Sequence, residues 1–474
     1  MSTPTILCNN WGLSWEAISG ISNNLEREII IENNDIVAPL DYYSLKTEND
    51  INGTSLSYGK KSDMPEFIFG LTNDENYLAL NVDFSHTWSS SGKGLIEHIH
   101  GNALLISDSQ FNPSSLVELI SVHIPELENW IANYFFWINE SESNDIRSRY
   151  KRVDEFEYII LLDTKDLQVS IKRYIGDCLT IPTCEMQRFS ILIRPKIQTE
   201  CKEISERYIL PLLSFFTFCF GTKARLDSVY LKLERRKGWV QLLSANTVSY
   251  YVSGDDGSSR YACFSLSQVM KANLNFLKPW FEERSDLFTA ISLIIPLLEE
   301  KHQEPLFQFM VASSALEAIE RHVISQEIEP QKAFRQRVKR IVEAAETEFL
   351  DDIGEKLKDR LQNGNQKGQK QNHRELVEKY NRLSAWFFSD PAVFVKLQVA
   401  NRNSVFHANA SNQKLILNPN DMRIHAHALV MFCYGLIAAV LGISEDIIID
   451  SLKNGRYMWA TQSAYEHLCE LYSK

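Results

Sequence analysis

Arg402-Asn403-Ser404-Val405-Phe406-His407 places a permanent cation and a titratable imidazole five positions apart, with a polar amide directly after the arginine. Histidine gives or takes a proton near neutral pH, because its unperturbed pKa is about 6.5. A guanidinium offers planar, always-charged donors to an oxygen on which negative charge builds. Together they could carry proton transfer and anion stabilisation. In a chain with this much arginine and histidine one such spacing arises by chance, so context has to carry the reading. The motif closes the segment VFVKLQVANRNSVFH, and small and polar residues, Ala408 to Asn412, follow it. Upstream, Glu317 and Glu320 fall in a largely apolar helical stretch, ALEAIE, where an unpaired carboxylate is costly. Arg402 is the natural partner for one of them. On these residues alone, an ion pair joining two helices and a helix-terminal histidine facing the helix dipole account for the same pattern.

Other chemistry-bearing patterns fail. Gly53-Thr-Ser-Leu-Ser-Tyr-Gly59-Lys60-Lys61 has one residue too many for a phosphate loop and lacks its hydroxyl residue. His98 and His100 share a strand face, whereas His425 and His427 diverge on a helix, and neither pair has a third ligand. They read as surface or hydrogen-bonded histidines. Cys178 and Cys184 do not fit common zinc spacings, and no CxxC, HExxH or GxSxG occurs. The sequence therefore predicts no metal and no cofactor, and free thiols in a cytoplasmic protein.

The elements that must hold the motif divide the chain in character. Residues 1–145 alternate short apolar runs with Asn, Asp and Gly clusters, as in EIIIENNDIVAP and GLIEHIHGNALLISD, which predicts antiparallel sheet. Residues 146–265 continue as α+β: a hairpin turning at Asp163–Asp166, a strand RFSILIRPK, and a buried helix CKEISERYILPLLSFFTFCFG ended by Gly221. Strands SVYLKLERR and GWVQLLSA and a loop SGDDGSS follow. From 266 to 474 the spacing becomes helical, with Phe309, Ser313, Leu316 and Glu320 recurring every three or four residues. SLSQVMKANLNFLKPWFEERSDLF also has helical spacing, and the polar run 363–374, NGNQKGQKQNHR, reads as a mobile loop. The fold class is α+β multidomain, a β-rich N-terminal region followed by an all-α bundle.

Of 474 residues, 44% are hydrophobic and 23% charged, the composition of a soluble globular protein. Residues 301–474 hold 22 Lys+Arg against 21 Asp+Glu, so the residues before them carry 27 against 40 and the whole of the deficit behind the formal charge of -12. An acidic N-terminal region does not draw a polyanion by long-range field, which leaves the C-terminal part as host for any nucleic-acid site. The start lacks a basic segment followed by an apolar one, so no secretory signal is expected. The uncharged run from Ala428 to Ile443 would span about 24 Å as a helix, short of a ~30 Å bilayer core, and predicts a buried helix rather than a membrane span.

The span from about 285 to 445 resembles an Apea-like HEPN domain, through SSALEAIERHVI and through VANRNSVFHAN with its Arg-x4-His motif. GLIEHIHGNALLIS resembles the β-rich domain that precedes HEPN in the ApeA-like anti-phage proteins. The resemblance implies a bundle that dimerises so that two Arg-His motifs face a shared cleft, and an endoribonuclease that cuts RNA without metal in abortive-infection defence, acting as a toxin on host RNA, tRNA included. It carries the catalytic roles to Arg402 and His407, the polar position to Asn403, and the acidic position to Glu317, with Glu320 left open. The implied partners are RNA, a second copy of the chain or a higher homo-oligomer, and a phage-derived trigger or inhibitor acting through the N-terminal region, with no membrane.

RNA supplies its own nucleophile, the ribose 2′-OH, so His407 and Arg402 would suffice, Glu317 orienting the arginine. Five positions put two side chains about 140° apart around an ideal helix. The helix is therefore expected to end or distort between Asn403 and His407, or else Arg402 serves the site jointly with the other protomer. Lys332, Arg335, Arg337, Lys339 and Arg340 form a run without an acid, and Lys367, Lys370 and Arg374 flank the polar segment. They are the candidate RNA contacts, although such runs are more often solvated helix faces. The rival reading is a non-catalytic HEPN scaffold or partner-binding protein, in which the Arg402–glutamate pair is structural.

Overall fold

The computed structural model describes residues 6–12, 27–32, 35–41, 67–72, 76–91, 94–127, 130–131, 158–173, 189–250, 263–272, 276–282, 285–299, 303–348, 361, 365, 367–407, 413–453 and 458–473. They fall into two units, Met1–Met270 and Lys271–Lys474.

The first unit is built on twelve antiparallel strands among the described residues. They are β1 (Ile6–Gly12), β2 (Arg27–Glu32), β3 (Asp35–Asp41), β4 (Phe67–Thr72), β5 (Tyr77–Ser91) and β6 (Gly94–Ser107). The others are β7 (Val117–His123), β8 (Tyr158–Asp163), β9 (Leu167–Arg173), β10 (Phe189–Pro195), β11 (Ser228–Leu233) and β12 (Val240–Ser244). Their order is β3-β2-β1-β4-β5-β6-β12-β11-β7-β10-β9-β8, and β3 also pairs with β6. The first six strands thus close into a ring. Long β6 serves both parts, with Ile96–Gly101 on β3 and Ala103–Ser244 pairing at the start of its register with β12. The sheet draws strands from both sides of residue 145, since β7 lies between β11 and β10.

Alternation explains the open half. Ile120 and Val122, Ile191 and Ile193, and Val169 and Ile171 are buried at two-residue spacing. Over the same unit lies the expected apolar helix. It opens as a 3-10 turn at Cys201–Glu203, widens to a π turn at Ser205–Ile209, and becomes α-helical as α1 (Leu210–Phe220). Pro211 has no N–H for the usual ladder, which accounts for the wider turn before it. Gly221, at φ 69°, supplies the left-handed cap. The loop 253–259, the phosphate-loop candidate 53–61, Cys178 and Cys184 lie outside the described residues, as do the side chains of His98 and His100.

The second unit is helical. SLSQVMKANLNFLKPWFEERSDLF is broken into α2 (Leu266–Ala272), whose residues straddle the division between the units, a 3-10 turn at Lys278–Trp280 and the start of α3 (Asp286–Glu299), with Pro279 in the 3-10 turn ending helical continuity. There follow α4 (Pro305–Val323), α5 (Gln331–Glu348), α6 (Gln369–Lys379), α7 (Asn381–Phe388) and α8 (Pro391–His407). The last are α9 (Pro419–Val440), α10 (Glu445–Lys453) and α11 (Met458–Tyr472). Helix α4 packs most extensively on α9 and α3. Helix α9 is long and apolar enough to cross a membrane by length and composition, yet 67% of that apolar window is buried within the protein. Its Asn418 caps the first turn, accepting from the backbone of Asn420 and Asp421.

Two expectations need correction. The run 363–374 is not a loop throughout: its second half is the first part of α6, and Asn365, Asn372 and His373 are buried. Polar residues remain buried there because they find partners. Asn365 donates to the Glu329 carbonyl and accepts from its N–H, Asn372 donates to Gln326, and the Lys367 N–H donates to the Gln326 carbonyl. The expected break between Asn403 and His407 is also absent, for α8 runs unbroken to His407. Nothing in Asn403-Ser404-Val405-Phe406 stops a helix, since it contains neither Gly nor Pro.

Candidate active site

Helices α4 and α8 meet in a ladder with a constant offset. Gln398 Nε2 donates to Ser313 Oγ at 2.9 Å, and one turn on Arg402 Nε donates to Glu317 Oε1 at 2.9 Å. Residue numbers rise together on both helices, so the two run parallel, and side chains four apart share a face. The inner rung is sealed: Ser313, Gln398 and His425 are each at most 1% exposed. The outer rung reaches solvent, Arg402 being 21% and Glu317 29% exposed. The ladder therefore carries a charged pair from the core to the surface.

The inner rung fixes a proton position. Gln398 Oε1 can only accept, so the His425 Nε2 that meets it at 3.0 Å donates. His425 Nδ1 then accepts from the Tyr465 hydroxyl at 3.0 Å. Burial pulls the imidazole pKa down from 6.5 to about 3, so this histidine is neutral and structural. Both of its ring nitrogens are hydrogen-bonded. Among the described residues, no cluster of three or more His, Cys, Asp or Glu side chains is arranged to hold a metal.

At the outer rung Glu317 Oε1 also accepts from Gln369 Nε2 at 3.0 Å. The guanidinium of Arg402 lies 5.2 Å from the ring centroid of Phe406, one turn further along α8. Asn403 is part-buried beside it. His407 is the last residue of α8, and its side chain lies outside the described residues. The choice left open between the two glutamates is resolved in geometry: Arg402 meets Glu317, whereas Glu320 is buried against His373 of α6, on its Nδ1. Burial raises the Glu320 carboxyl above its ordinary range, opposed by the hydrogen bond and charge of His373. The Glu317 charge one turn away pushes in the same direction as burial.

The basic residues divide. Lys332, Arg335, Arg337, Lys339 and Arg340 are exposed on α5, where Arg337 meets Glu329 at 2.7 Å and Lys339 meets Glu343 at 3.5 Å. Lys370 and Arg374 are exposed and four residues apart on α6, next to Gln369 and His373 respectively. Lys367 departs from expectation. It is only 12% exposed, and its ammonium meets Glu375 at 2.6 Å, pulling that carboxyl below its usual range.

Sequence reasoning missed Gln369, His373 and the Ser313–Gln398–His425–Tyr465 chain. The available signal was the i, i+4 pairing of Gln369 with His373, hidden in a segment with no apolar periodicity.

The comparisons with known proteins agree with this division of the chain. Residues 28–261 match the family model of ApeA N-terminal domain 1, and residues 311–447 match that of Apea-like HEPN. The latter span contains Glu317, Gln369, Arg402, Asn403 and His407. No curated protein and no solved structure matches the chain. With both of its parts matched in order over more than three quarters of its length, the chain is an ApeA-like HEPN protein of the anti-phage defence class.

Proposed function

We propose that the protein is a metal-independent endoribonuclease that cleaves host RNA, tRNA among its substrates, in abortive-infection defence in the cytoplasm. The observation that carries this reading is the outer rung: an arginine in the Arg-x4-His motif, oriented by Glu317 yet open to solvent, inside the span that matches HEPN.

The ribose 2′-OH attacks the adjacent phosphorus, forming the P–O2′ bond as the P–O5′ bond breaks. The 2′-OH proton passes to a base and the departing O5′ receives one from an acid, leaving a 2′,3′-cyclic phosphate and a 5′-OH. His407 exchanges these protons, and Arg402 meets the charge that builds on the phosphorane oxygens. Asn403 contributes a polar contact beside them. No added nucleophile is required, so the reaction does not call for a metal-activated water.

Because α8 is continuous, positions 402 and 407 of one chain lie about 140° apart around an ideal helix axis. We take this to favour a site shared by two protomers, His407 of one acting with Arg402 of the other across a HEPN dimer. Phe406, 39% exposed beside Arg402, is an apolar element available to such a contact. Lys370 and Arg374, both exposed on the helix that carries Gln369, contact the phosphate backbone. The α5 run adds weaker, non-specific attraction. The acidic N-terminal unit senses the phage-derived trigger or restrains the site until it arrives.

Purified protein incubated with total RNA and tRNA in EDTA, beside His407→Ala and Arg402→Ala, tests the reading. Cyclic-phosphate ends lost in both variants support it. Cleavage that survives His407→Ala overturns the assigned chemistry. Silence in every sample, with or without infected-cell extract, leaves the scaffold function in its place.

A further inference from the structure

Glu317 is a weak support for Arg402 if it acts alone. The Arg402 Nε–Glu317 Oε1 bond joins two part-exposed side chains, and such pairs hold their geometry poorly against rotamer freedom and solvent screening. A second carboxylate, Glu320, sits one turn away on α4 and would repel Glu317 if left unpaired. Helix α6 answers both problems. Gln369 donates to the same Oε1 that Arg402 uses, and one turn on, His373 engages Glu320 in the core. Two residues four apart on α6 thus meet two carboxylates three apart on α4.

The arm that delivers them is itself anchored. Ile328 and Lys367 donate backbone bonds to the Asn365 and Gln326 carbonyls, and Asn372 donates to the Gln326 side chain at 3.0 Å. Lys379 closes the far end of α6 on the Val323 carbonyl at 2.9 Å. This is extensive fixing for a segment whose composition is almost wholly polar.

We propose that Gln369 is a positioning residue of the cleavage site, holding Glu317 in the rotamer that aims Arg402, with the Glu320–His373 pair locking α6 where Gln369 can do so. The inference rests on the nuclease reading above. Gln369 acts through Glu317 and touches no substrate.

The test compares Gln369→Leu, which keeps the bulk and removes the donor, with Gln369→Lys, which restores a donor to Glu317. Both are assayed on RNA beside wild type and Arg402→Ala. The expected result is a roughly tenfold fall in kcat for Gln369→Leu at unchanged KM, with much of it recovered in Gln369→Lys. A purely structural glutamine would follow size instead and show no recovery by lysine. Equal kcat in wild type and Gln369→Leu overturns the proposal while leaving the nuclease reading intact. Loss of cleavage in neither Arg402→Ala nor His407→Ala overturns that reading itself. If the wild type is silent, a double-mutant cycle on thermal unfolding between Gln369→Leu and Arg402→Ala decides. Non-additive shifts in Tm support a shared hold on Glu317, and additive shifts overturn it.

Discussion

Gln398 stands one turn before Arg402 on α8, and their partners on α4, Ser313 and Glu317, are likewise one turn apart. The buried rung thereby sets the phase of the exposed one. A rotation of either helix that moved Arg402 would have to break a hydrogen bond in the core, where no water replaces it.

Gln398→Leu should therefore destabilise the helical unit by about 1–3 kcal/mol, because it takes away the buried partner of His425 Nε2 and of Ser313 Oγ. Chemical denaturation measures this directly. RNA cleavage should fall as well in protein that remains folded, since the rung that phases Arg402 is gone. Full activity at reduced stability would show that the two rungs are independent.

Arg402→Lys keeps the charge but not the planar fork, and should lose on the order of a hundredfold in cleavage rate, while Glu317→Gln loses less because an amide oxygen still accepts from Nε. Single-turnover rates on one defined RNA compare them. A ranking in which Glu317→Gln is the more damaging would place the carboxylate, not the guanidinium, at the chemistry.

His425 gives a pH signature. Its folded pKa is depressed to about 3 against 6.5 in the unfolded chain, so between these values the unfolded chain binds the extra proton. Stability from this group is complete above pH 6.5 and is lost as pH falls towards 3. Wild type and His425→Asn should differ most near pH 7.5 and converge on acidification, as followed by urea midpoints at several pH values. A constant gap would mean that His425 does not titrate on unfolding.

Glu320 and His373 are two buried partners that fail singly. Leu at either position leaves the other ionisable group alone in the core and should cost several kcal/mol, on the order of 3–5, whereas the double Leu variant should recover much of it. The measurement is again equilibrium unfolding of the two singles and the double. A double variant as unstable as the sum of the singles would show that packing, not charge, dominates there.

Much of this was legible from local pattern. The hairpin at Asp163–Asp166, the Gly221 cap and the apolar burial of α9 all follow from neighbours in sequence. That Arg402 meets one of the two glutamates is legible too, because an acid in an apolar helical stretch demands a cation; which of the two it meets is not. Closure of β3 on β6 was not, since it joins residues some sixty positions apart and leaves no periodicity behind. Helix α6 was misread because it buries amides and an imidazole through hydrogen bonds, while pattern reading looks for buried carbon. The continuity of α8 departs from the expectation that one chain aims both Arg402 and His407 at one point, and leaves the alternative of a site shared between protomers.

Ring closure leaves the sheet, among the described residues, with a single open edge at β8. An unpaired edge is a template on which another chain can add a strand and begin to aggregate. That hazard falls on Tyr158–Asp163, where Ile160 is 41% exposed. The register shift between Ile160 and Leu162 bends the ladder at the same place and disrupts the straight, repeating edge that an incoming strand would need. Closing one margin of the sheet concentrates the protection against misassembly into one irregular strand.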